Sequence, residues 1–111
     1  MANPFACEVA LTMDGQRHVL KLTLGALAEL EAGLGEDTLV ALIRRFESGA
    51  FASRDVLALI VAGLRGGGWQ GHTQDLLRAD IEGGPMEAAR VAAQLLVLAF
   101  GTSAGGGDGG V

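Results

Sequence analysis

The chain has no tyrosine, one tryptophan, one cysteine and one lysine, and aromatic residues make up 5% of it. A core without aromatic bulk must be built from Leu, Val, Ile and Ala, which suits packed helices. The lone Cys7 excludes an internal disulfide and a cysteine-based metal cluster. It fits a reducing compartment.

Basic residues are scarce. Lys21 and seven arginines, spread from Arg17 to Arg90, face 13 acidic residues, for a net charge of −5. Only Arg44 and Arg45 are adjacent, and Glu47 sits close by. A nucleic-acid binder concentrates its positive charge on one face or arm. Direct nucleic-acid binding is therefore disfavoured, and a small nucleic-acid-binding regulator is the weakest reading carried forward. The longest apolar run, Val56 to Leu64, falls far short of the ~20 residues that cross a bilayer. Met1 to Ala6 has neither a basic stretch nor an apolar one, so no secretory signal is expected. These absences point to a cytoplasmic protein with no membrane partner.

What is present reads as one small domain over 7–101, followed by a Gly-rich segment, 102–111, expected to be disordered because it cannot offset its ordering entropy. Half of the residues are hydrophobic and the mean hydropathy is positive. Glu8 to Met13 alternates polar and apolar residues, placing Val9, Leu11 and Met13 on one face. Asp14-Gly15 then supplies a two-residue hairpin turn, and Gln16 to Leu22 returns. Such a hairpin is marginal alone, so it must lie on helices or pair with another strand.

Helical segments follow. Thr23 caps the first, in which Leu24, Leu27, Leu30 and Leu34 share a face. Gly25 offers a place where this helix could approach the hairpin closely. Asp37 is the expected cap of a second helix with Leu39, Leu42, Ile43 and Phe46 inward. Phe51 follows as a plug over the core edge. Ser53 caps a third, apolar on nearly every side from Val56 to Arg65 and hence the expected centre of the core. Thr73 to Glu82 reads as a short helix with Leu76, Leu77 and Ile81 inward. Pro85 opens the last helix, which runs to Phe100. The expected class is α+β: an N-terminal β-hairpin followed by a compact bundle of four to five short helices.

No constellation of residues assembles an acid, a base and a nucleophile. Gly66 to Thr73 imitates a phosphate-binding loop, but a helix precedes it and the required lysine is missing. It reads as a flexible inter-helix loop. His18 and His72 belong to no ligand-spaced cluster, and Cys7 reads as a small buried hydrophobe. The expectation is a non-catalytic protein with no cofactor and no metal. Two helices apolar beyond one face leave two alternatives open: they cover each other, or they meet another copy or another protein. Trp69, alone among glycines, is either a ring folded over the core or an exposed anchor. Phe51, Trp69, Leu96 and Phe100 are the candidate partner contacts.

The hairpin and first helix, Glu8 through Glu31, resemble a known family. So do Phe46-Glu47-Ser48-Gly49 with Ser53-Arg54-Asp55-Val56, and Ala62-Gly63-Leu64-Arg65-Gly66. In order and spacing they are similar to the small proteins of gene transfer agents that resemble phage tail assembly chaperones, a family also labelled a phage tail tube protein. The resemblance implies a chaperone that binds the tape measure protein, keeps it soluble and helps tail tube protein assemble around it. The alternative it leaves is a structural tail tube or tail-tip component of the particle. A homo-oligomer remains open.

Overall fold

Asp14 and Gly15 set the register of everything upstream of the helices. In a computed structural model that describes residues 8–35 and 38–100, their φ angles are +52° and +79°. A tight hairpin turn whose twist matches its strands needs that pair of positive angles. The turn joins β1 (Glu8–Met13) to β2 (Gln16–Lys21) as an antiparallel pair, with Val9 opposite Leu20 and Leu11 opposite His18. Val9, Leu11, Met13 and Leu20 are buried on one face. Five helices follow: α1 (Leu24–Gly33), α2 (Leu39–Ser48), α3 (Ser53–Gly66), α4 (Thr73–Arg78) and α5 (Gly84–Phe100). The expected α+β architecture is the one observed.

The helix starts are capped as short polar side chains allow. The Thr23 hydroxyl accepts from the Ala26 N–H at 3.1 Å. For α2 the cap is Thr38, accepting from the Ala41 N–H at 3.0 Å; the expected Asp37 lies outside the described residues, as do Cys7 and the segment 102–111. For α3 the cap position is Ala52 and not Ser53. Asp55 closes that end by accepting from the Ala52 N–H at 2.8 Å, a carboxylate at the positive end of the helix dipole.

Helix α3 is the hub, packed against β2, α1, α4 and α5. Leu59, Ile60, Ala62 and Leu64 are buried, whereas Val56, Leu57, Ala58 and Val61 are half-buried. It is therefore central without being enclosed. Its C-terminal end meets β2 at backbone distance. A Cβ on Gly63 would stand 2.7 Å from Leu95 Cδ1 and 3.1 Å from Leu20 Cβ. One on Gly66 would overlap the Lys21 carbonyl oxygen, and one on Gly67 the Val19 carbonyl oxygen. The end of α3 thus seals the outer edge of β2, which an exposed strand would otherwise offer to other chains. Close approach falls here and not at Gly25, whose missing Cβ would meet nothing nearer than Thr23 Oγ1 at 4.0 Å.

Two further expectations are corrected. In α1 and at its C-cap, Leu27, Leu30 and Leu34 pack on the core together with Ala26, whereas Leu24 of the same expected face is 85% exposed. The segment after α4 leaves the helix at Ala79 and becomes extended. The Asp14 N–H donates to the Asp80 carbonyl at 2.8 Å and the Glu82 N–H to the Thr12 carbonyl at 3.0 Å. Ile81 bridges to Met13. Here pairing with the free edge of β1 outweighs the weak helical preference of a short segment. Within α4, Leu76 is the buried residue and Leu77 faces outward.

Candidate protein-docking site

The half-buried stripe of α3 is flanked by two clefts. The first, of about 350 Å³, lies between α1 and α3 and includes Glu29, Leu57, Val61 and Arg65 in its lining. Arg65 Nη1 reaches Glu29 Oε2 at 2.7 Å across it, and Arg65 Nη2 donates to the Gly71 carbonyl at 3.2 Å. That arginine ties the 67–72 loop to α1 and puts charge in the cleft.

The second cleft, of about 560 Å³, is bounded by α3, the chain from α4 to Ile81, and the start of α5. Val56, Leu57, Leu76, Ile81 and Ala88 line it, with Phe51 and Leu77 also contributing, and Asp80 is its single charged lining residue. Leu77 is 62% exposed and Met86, next to the lining residue Pro85, is 84% exposed. Large apolar side chains left in water beside an apolar cleft make this a candidate contact surface. Neither was singled out from the sequence: Leu77 read as inward, and Met86 belonged to no motif. Leu77 lies within α4 and Met86 in the first turn of α5, and the way those helices pack leaves both side chains outside the core.

Phe51 lines this cleft and stacks on Phe46 of α2, with ring centroids 4.5 Å apart and planes 5° from parallel. The other candidate contacts lie elsewhere. Leu96 is 2% exposed and belongs to the core, buried on α5 together with Val91, Ala92 and Leu95. Trp69 is half-buried, packed against the core, with its backbone N–H donating to the Leu64 carbonyl at 2.9 Å. Phe100 sits at the far end of α5, three turns beyond the cleft-lining Ala88 by the helical repeat (about 18 Å). The four do not converge, and Phe51 alone lines the apolar cleft.

The chain entering that cleft wall is anchored by an ion pair between a buried carboxylate and a half-buried arginine. Asp55, the one buried charged residue among the described residues, accepts from Arg45 Nε at 3.0 Å and Nη2 at 2.9 Å. Burial by itself pushes the Asp55 carboxyl up. The Arg45 fork, the Ala52 N–H and the charges of Arg45 and Arg54 outweigh it and hold the group below the ordinary carboxylate value. Among the described residues no group of His, Cys, Asp and Glu could hold a metal ion. No helix among them is long and apolar enough to cross a membrane.

A family model described as phage tail tube protein, GTA-gp10, matches residues 6–102. The resemblance read from the hairpin and the helices is borne out at the level of the family. No curated protein and no solved structure matches the chain.

Proposed function

We propose, from the premise that this chain belongs to the family described as phage tail tube protein, GTA-gp10, that it is a non-catalytic assembly chaperone of a phage-like tail. In this reading it binds a helical stretch of the tape measure protein while the tail is built in the cytoplasm of the producing cell, and hands it to the tail tube protein. The observation that carries it is the open apolar cleft between α3, α4 and α5, edged by the exposed Leu77 and close to the exposed Met86. An amphipathic client helix laid into such a groove buries its apolar stripe against cleft walls of this kind. Phe51, Leu77 and Met86 are the proposed contacts.

A second reading, a structural subunit of the tail tube, is favoured by the family description itself. A ring-forming tube subunit calls for a broad sheet, and the described residues supply a two-stranded one. Co-expression with the neighbouring tape measure protein, followed by pull-down, separates the two. A soluble complex, with the chain missing from purified particles by mass spectrometry, is the expected result. Stoichiometric presence in finished particles would overturn the chaperone role and establish the tube reading.

A further inference from the structure

Helix α2 is the least integrated of the longer helices. Leu42 is its one buried residue, with Leu39, Ile43 and Phe46 half-buried against the core, while Val40, Arg44, Glu47 and Ser48 face water. Besides that packing, two side-chain contacts fasten it. One is the Arg45–Asp55 fork, which ties α2 to the start of α3. The other is the Phe46–Phe51 stack. On either side of α2 stand exposed glycines with left-handed backbone, Gly35 at φ +68° and Gly49 at φ +81°, and nothing lies within 4 Å of where their Cβ atoms would be.

We infer that α2 is a strap that opens as a unit from the rest of the fold, and that Phe51 couples its state to the α3/α4/α5 cleft. Phe51 belongs to both structures at once: its ring is clamped by Phe46 and it forms part of the cleft lining. With the strap shut, Phe51 is held at the cleft. With the strap open the clamp is gone, the ring is free to leave, and the cleft widens toward α2. The device would regulate client entry, a consequence that rests on the reading of this cleft as the docking site. The opening itself does not depend on that reading.

Hydrogen exchange of the full chain in the absence of any client tests the strap. An opening that leaves the hairpin seam intact has its own free energy, lower than that of global unfolding. Once undocked, so short a helix is marginal in water and melts, so amides of 39–48 should exchange about ten-fold or more faster than those of β2, α3 and α5, with a denaturant dependence smaller than that of global unfolding. Asp55→Asn and Phe51→Ala, each removing one fastener, should speed α2 exchange further. Leu20→Ala supplies the decisive contrast. It weakens the seam equally in the shut and open states, so it should speed exchange in β1 and β2 and leave α2 unchanged. If Leu20→Ala accelerates α2 together with the hairpin, or if α2 exchanges in step with α3 in the unaltered chain, the strap is refuted. Leu77→Asp distinguishes the two proposals: it should abolish tape measure capture with α2 exchange unmoved. Capture that survives Leu77→Asp removes the docking reading and leaves the strap standing.

Discussion

On one side of α3 there is no room for a single added carbon; on another there is a cleft of about 560 Å³. The seam with β2 is made by backbone against backbone, at Gly66 and Gly67 over the Lys21 and Val19 carbonyls. The cleft is made by side chains that stop short of one another, with Leu77 standing in water beside it. The seam cannot give, because a carbonyl held in a sheet has nowhere to retreat. The cleft can be refilled or recharged with small consequences for folding. Tight packing and open apolar surface thus lie on different sides of one helix.

The harshest way to break this contrast is to put a side chain into the seam. Gly66→Val or Gly67→Val should cost about 3 kcal/mol or more, the upper range for overpacking, read as a lowered denaturant midpoint. Mild loss there would mean that the seam is soft and the contrast false.

Next comes Asp55, whose carboxylate links α2 to the start of α3. Asp55→Ala should cost about 2–4 kcal/mol, since it strips Arg45 of its partner and α3 of its cap acceptor. The same group gives a sign for acid. Its folded-state affinity for protons is lowered, so its contribution is fully present above the ordinary carboxylate value and is lost as the pH falls through the lowered one. Asp55→Asn should flatten the acid limb of the stability curve. An unchanged acid limb would show that the ion pair adds nothing.

A smaller effect on stability, and a large one on binding, is expected at the cleft. Leu77→Asp with Met86→Asp should move stability by no more than about 0.5 kcal/mol, as exposed substitutions do, yet abolish capture of the tape measure protein. A comparable loss of stability would place these residues in the core. Smallest of all, and of opposite sign to the seam variants, is Gly25→Ala. With open space around it, alanine should add about 0.5–1 kcal/mol through helix propensity, visible as a raised midpoint.

Local chemistry was enough to read much of this fold. Asp14-Gly15 between two alternating segments admits little except a hairpin, because only a turn with two positive φ angles suits the twist of the strands. Thr23 before a leucine-rich run specifies a helix start for the same kind of reason: its hydroxyl satisfies an N–H that the helix leaves free. Apolar spacing likewise marked α3 as central. The candidate site was far less legible. Of the four residues singled out, Phe51 lines the apolar cleft, whereas Leu96 is core.

The sequence by itself determined the element order and the hairpin register, since each follows from a period or a turn that residues a few positions apart decide among themselves. Only the tertiary structure decided the rest. Residues 79–82 leave the helix because β1, distant in sequence, has an unpaired edge to offer. Gly66 and Gly67 matter because β2 lies against them, not because of their neighbours in the chain. The cleft exists because three helices meet without filling the space between them. Contacts between distant residues carry no local periodicity, and a surface left uncovered is a property of the whole packing.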